Sequence, residues 1–137
     1  MYELVIANKN YSSWSMRPWV LLRELGIPFT ERLLPFHLNH GDGDFRRHSP
    51  SGRVPCLVDG PLRLWDSLAI TEYLAERHAG IWPADRVVRA WARCATAEMH
   101  SSFTALRAQC SMSVGQRLRL HRVSPELQAD LDRLVVL

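Results

Sequence analysis

At 137 residues the chain has room for one ordinary domain, or for a small domain and part of another. Hydrophobic residues at 47% and charged residues at 23% are globular values and exclude a disordered chain. The formal charge of +3 comes almost wholly from arginines scattered between Arg17 and Arg133, with Lys9 the only lysine. No basic cluster or recognition motif points to nucleic acid, whereas a mildly basic surface suits a small anionic ligand. No stretch approaches the apolar length that spans a bilayer, so a soluble, cytoplasmic protein with no membrane partner is expected. Cys56, Cys94 and Cys110 form no Cys-x-x-Cys pair, a poor framework for disulfides or zinc. Each is expected to be a small buried hydrophobe, and Cys56 lies nearest the candidate site.

Tyr2–Ile6 is apolar and partly β-branched, and predicts a first strand. Asn8 to Ser15 breaks the pattern with polar and small residues. From Met16 the spacing turns helical, with Trp19, Val20, Leu22 and Leu25 on one broad face and Gly26 as a stop. Proline is comfortable only in the first turn of a helix, so Pro18 predicts a start capped by Ser15. Tyr11-Ser12-Ser13-Trp14 then reads as the loop leading in, its hydroxyls near the positive end of the helix dipole. On its own, this loop is equally a polar connection with one capping serine.

Pro28-Phe29-Thr30 with Leu33-Leu34 predicts a second strand, followed by an irregular segment. His37 to Asp44 holds two histidines and two aspartates, but Gly41 and Gly43 break any common face and no metal motif is matched. The segment reads as a loop over a ligand, without a metal. Val54–Val58 and Leu62–Trp65 flank Asp59-Gly60, a strong hairpin signal, and Pro61 places the second strand at a sheet edge. Asp66 and Ser67 then open a helix expected to run to Ala79. Unpaired amides beside a carboxylate and a hydroxyl attract an anionic group, although an ordinary capped helix has the same local sequence.

Gly80–Asp85 reads as a linker. Beyond it Val88, Trp91, Ala95, Met99, Phe103 and Leu106 keep helical spacing over one long helix, a stripe expected to be core. His100, Ser101 and Arg107 are candidate wall residues of a substrate cleft. Ser124-Pro125-Glu126 caps a further helix carrying Leu127, Leu131 and Leu134, and the chain stops at Leu137 in what reads as mid-helix.

Val-Pro before a strand, a Gly turn, and Asp-Ser opening a helix resemble the glutathione-binding half of the cytosolic glutathione S-transferases. Ser12-Ser13-Trp14-Ser15-Met16-Arg17 is similar to the Ser-x-x-x-Arg segment of their serine-type members, of theta and zeta character. The resemblance implies an α/β fold: a thioredoxin-like βαβ–ββα domain at 1–79, a linker at 80–85, and an incomplete all-helical domain at 86–137. It implies a cis bond at Val54–Pro55, with Val54 pairing its main chain to the cysteinyl part of glutathione. Ser67 would hold the γ-glutamyl carboxylate, with Asp66 standing where the family has Glu or Asp. His40 or Arg53 would meet the glycyl carboxylate.

A serine hydroxyl bonding the glutathione sulfur falls on Ser13 by its spacing from Arg17, or on Ser12 by the zeta pattern. Trp14 stands where the zeta pattern has Cys. The implied function is a homodimeric glutathione transferase whose activated thiol attacks a small electrophile, with glutathione as co-substrate. The alternatives are a non-catalytic binding or interaction module of the same fold and a glutathione-dependent isomerase. A thiol–disulfide reductase has Ser12 and Ser13 against it, because the loop carries no cysteine.

Overall fold

The structure, a computed structural model, describes residues 1–36 and 43–137, the side chains of 43 and 44 excepted. Its elements in chain order are β1 (Tyr2–Ile6), α1 (Ser13–Glu24), β2 (Phe29–Leu33), α2 (Gly43–His48), β3 (Cys56–Asp59), β4 (Leu62–Trp65), α3 (Ser67–Ala75), α4 (Arg86–Ser101), α5 (Thr104–Gln109) and α6 (Pro125–Val136). The four strands form one mixed sheet in the order β2-β1-β3-β4, with β1 parallel to β2 and the other pairs antiparallel. This is the thioredoxin-like arrangement, with a helical part following it.

β1 is central, and its last three residues are buried on both faces of the sheet. Leu4 and Ile6, with Leu57 from β3, meet Leu22 of α1 and Ile70 and Leu74 of α3 in the main core. Val5 pairs with Cys56 on the opposite face, where buried Ser49, just after α2, lies close enough to act on the Cys56 thiol. β4 is an edge strand, as Pro61 requires. Its hairpin turns on Gly60 at φ +56° and Pro61, and Tyr73 of α3 ties back to it by donating to Asp59 Oδ2 at 2.7 Å.

Several local expectations are corrected. Helix α1 starts at Ser13, not after Ser15, so Pro18 lies inside it and the Trp14 carbonyl loses its ladder partner. A buried serine pair sets that start. Ser12 caps the helix, accepting from Ser15 N at 3.4 Å and donating to Ser15 Oγ at 2.8 Å. Ser15 Oγ in turn accepts Ala7 N at 3.2 Å, which pins the first turn to the end of β1. The segment expected to be irregular contains α2, anchored by buried Phe45.

The helix opened by Asp66 ends at Ala75 rather than Ala79. The long helix beyond the linker breaks at Phe103, which is buried in the left-handed region at φ 62° and separates α4 from α5. Of its stripe only Phe103 is core: no residue of α4 is buried, Val88 and Trp91 are exposed, and Cys94 is exposed as well. Helical spacing marks which residues share a face, but not whether anything covers that face. The break is held from both sides. Arg107 Nε donates to Ser102 O at 3.0 Å and its Nη2 to Met99 O, while Asp130 of α6 accepts Leu106 N at 2.9 Å. Among the described residues no helix is long and apolar enough to cross a membrane.

Candidate functional site

Where β4 passes into α3, the chain makes a turn that most residues avoid. Asp66 sits at φ 77°, a conformation costing a non-glycine residue about 1–3 kcal/mol unless its surroundings hold it. Both carboxylate oxygens are engaged. Oδ1 accepts Leu68 N at 2.9 Å, capping α3, and Oδ2 meets His100 Nε2 of α4 at 3.2 Å. His100 also sets its ring edge-on to Trp14, centroid to centroid 5.3 Å. The carboxylate thereby links the start of α3 to α4 and, through His100, to the first turn of α1.

Ser67, the first residue of α3, is 3% exposed, and among the described residues its Oγ has no hydrogen-bond partner. Buried hydroxyls are rarely left unpaired. His100 Nδ1 is buried and unpartnered too. Ser67 opens onto a hollow of about 490 Å³ that is also lined by Arg53, Val54, Pro55, Trp65, Asp66 and His100, with Trp14 and Ser51 completing it. The Val54–Pro55 bond in its wall is cis. A second hollow of about 370 Å³ shares Ser67 and His100 and is walled by Arg17 and by Ala95, Thr96 and Met99 of α4.

Ser13 is not in that company. It lines a third hollow, of about 300 Å³, together with Trp14, Arg17, Met99, Phe103, Leu106 and Arg107. Trp14 is the shared wall of the first and third hollows. The Arg17 and Arg107 guanidinium carbons lie 4.2 and 4.7 Å from its ring centroid. Burial, then the neighbouring charge of Arg107, lowers the Arg17 pKa from its ordinary value, and Asp66 partly offsets both.

The structure therefore gathers Arg53, Val54, Pro55, Asp66, Ser67 and His100 around one hollow, and Ser13 with Arg107 around its neighbour. Ser12 is buried with its hydroxyl engaged by Ser15. Ser101 is exposed and donates to Ala97 O at 3.0 Å, lining neither hollow. His40 falls outside the described residues. Trp14, Trp65, Ser51 and Arg17 were not singled out from sequence as wall residues. For Trp14 the only signal was its place where the zeta pattern carries Cys.

A sequence model of the family described as "Glutathione S-transferase, N-terminal domain" matches residues 11–77. The chain is 35% identical to a glutathione S-transferase of Escherichia coli K12 over 79 residues, 55% of this chain and 38% of that one. It is 50% identical to a dichloromethane dehalogenase of Methylophilus leisingeri over 57 residues, 40% of this chain and 21% of that one. Among solved structures it is similar to a glutathione transferase homolog from a Burkholderia with bound glutathione. That match has a TM-score of 0.70 and 26% identity, and covers 98% of this chain and 64% of the other. It is likewise similar to the apo form of human glutathione S-transferase T1-1, with a TM-score of 0.66 and 25% identity over 99% of this chain and 59% of that one. The chain thus spans less than two thirds of the length of these relatives.

Proposed function

The chain belongs to the glutathione S-transferase family through residues 11–77, and from that premise we propose that it binds glutathione in the hollow at Ser67 and presents the thiol toward Trp14 and the start of α1. The observation that carries the proposal is the buried, unpartnered Ser67 hydroxyl at the first turn of α3. A carboxylate there would take that hydroxyl and the free amides of the helix start, and would meet the positive end of the dipole. In this reading Asp66 caps the helix start that receives the γ-glutamyl group, and Val54 offers main-chain pairing beside Pro55. Arg53 meets the glycyl carboxylate, a role for which His40 is the other candidate. The proposal divides the chain into a glutathione-binding domain at 1–79, a linker at 80–85 and a helical part at 86–137, and takes the working form to be a homodimer.

A free thiol of pKa about 8.5 is only a few per cent thiolate at neutral pH, and lowering it by about two units is worth roughly 2.7 kcal/mol. A hydroxyl donor and the α1 N-terminus both favour the anion. Ser13 suits the donor role better than Ser12. It is half-buried beside a hollow, whereas Ser12 Oγ already donates to Ser15. The serine donates to sulfur and does not itself attack.

A second reading, a binding module without conjugating activity, is favoured by one specific observation: Ser13 and Ser67 line different hollows. Retention of the full chain on immobilised glutathione, with release by free glutathione, tests binding; absence of retention removes the first reading. Conjugation of an aryl halide by the retained protein then separates transferase from module.

A further inference from the structure

Resting on the transferase reading, we propose that the hollow beside Ser13 selects an organic anion: the electrophile carries a carboxylate on an apolar body, and the carboxylate sits between Arg17 and Arg107.

The residues lining this hollow include two arginines and no acid. Some arginines elsewhere are paired with carboxylates: Arg93 meets Glu72 at 3.2 Å, Arg133 Nη2 reaches Glu98 at 2.7 Å, and Arg32 pairs with Glu3. Arg17 is different. It is half-buried, and among the described residues it makes no hydrogen bond or ion pair, only the stacking on Trp14. Asp66, the acid that acts on it through space, has its two oxygens already committed to Leu68 N and His100.

Arg107 is held in place by the Ser102 and Met99 carbonyls, which carry no formal charge to balance it. Two cations in a partly desolvated hollow repel each other, and an anion between them relieves both costs at once. The planar fork of Arg17 matches a carboxylate two bonds at a time, and Arg107, with Nε and Nη2 on carbonyls, adds its charge. Met99, Phe103, Leu106 and Met112 supply the apolar remainder, and Trp14 a flat wall. The shape of the site thus calls for a molecule with one charged end and a ring- or chain-sized apolar part.

Equilibrium dialysis of the full chain against 3,5-dinitrobenzoate and against 1,3-dinitrobenzene, the same ring without the charge, reads this directly. The benzoate is expected to bind at least roughly tenfold tighter at low salt, the lower end for charge-assisted hydrogen bonds. Arg17→Gln is expected to remove most of that advantage, and Arg17→Lys, which keeps the charge but not the fork, to restore part of it. Equal affinity for the two rings overturns the proposal. So does an advantage that survives undiminished in both Arg17→Gln and Arg107→Gln.

Turnover gives a second readout, using 4-chloro-3,5-dinitrobenzoate and 2-chloro-1,3-dinitrobenzene. In each, the thiolate forms a C–S bond at the chlorine-bearing carbon, chloride leaves with the C–Cl electron pair, and the thiol proton passes to solvent. After division by the uncatalysed rates, the carboxylated ring is expected to be the faster; the reverse order overturns the assignment of substrate class. Failure to bind glutathione with the benzoate advantage intact would sink the transferase reading and leave the anion site standing.

Discussion

Two hollows share Trp14: one is made of main chain, a cis Val54–Pro55 bond, an acid and an orphan hydroxyl, and the other, among the described residues, of two arginines and mostly apolar side chains without an acid. The first comes from the sheet and the start of α3, both anchored in the main core. The second leans on α4 and α5, which contribute no buried residue of their own. A site built on a closed core can recognise a fixed ligand through backbone groups. One built on half-covered helices recognises its ligand through long side chains and can be varied without disturbing the sheet. In the proposed division of labour the glutathione half is rigid and the electrophile half is adaptable.

The largest expected effect is on the wall itself. Trp14→Ala merges the two hollows and deletes the contacts with Arg17, Arg107 and His100. A loss of about 2–3 kcal/mol in urea unfolding is expected, below the value for a fully buried tryptophan. A loss under about 0.5 kcal/mol would mean that Trp14 does not join the two regions.

Next comes Ser67→Ala, where stability and binding should part company. Among the described residues the hydroxyl has no partner, so its removal is expected to leave stability within about 0.5 kcal/mol while weakening glutathione by about 1–3 kcal/mol. Calorimetric titration and thermal unfolding of one protein sample decide it, and equal losses in both would reduce Ser67 to a structural hydroxyl.

The two serines at the start of α1 sharpen the comparison further. Ser12→Ala removes a cap and half of a buried hydroxyl pair, and is expected to cost about 1–2 kcal/mol of stability. Ser13→Ala should change stability by less than about 0.5 kcal/mol, with turnover reduced and glutathione affinity kept within a few-fold. An unchanged rate for Ser13→Ala would move thiol activation to main-chain amides.

How far these regions could be read from the sequence follows from the range of the forces that make them. Asp59-Gly60-Pro61 and Asp66-Ser67 are local chemistry, a turn and a cap, and residues within a few positions suffice to specify them. The first strand and the edge position of β4 were legible for the same reason. The start of α1 was not. Pro18 argued for a late start, but a buried bond from Ala7 to Ser15, eight positions away in sequence, outweighs the lost ladder bond.

Phe103 was read as one more apolar point on a stripe. Its left-handed backbone depends on Arg107 and on Asp130 of α6, groups that periodicity does not weigh. The side of Trp14 on which Ser13 falls is set by that same first turn, so the partition of the site into two hollows lay beyond local inspection.

Cys56 supplies the smallest and most local test, because it follows Pro55 directly yet turns its thiol to the opposite face of the sheet from the main core. Burial pushes the thiol above its ordinary value of 9.0, and Ser49 offsets only part of that. The native state therefore keeps this proton at pH values where the unfolded chain has released it. The associated stability is complete below pH 9.0 and declines as pH rises through the native pKa. In mildly alkaline buffer, iodoacetamide is expected to modify exposed Cys94 at least roughly tenfold faster than Cys56, and urea should abolish the difference. Equal rates in the native protein would mean that the sheet beneath the Ser67 hollow opens readily. The contrast between a rigid half and an adaptable half would then fail at the rigid end.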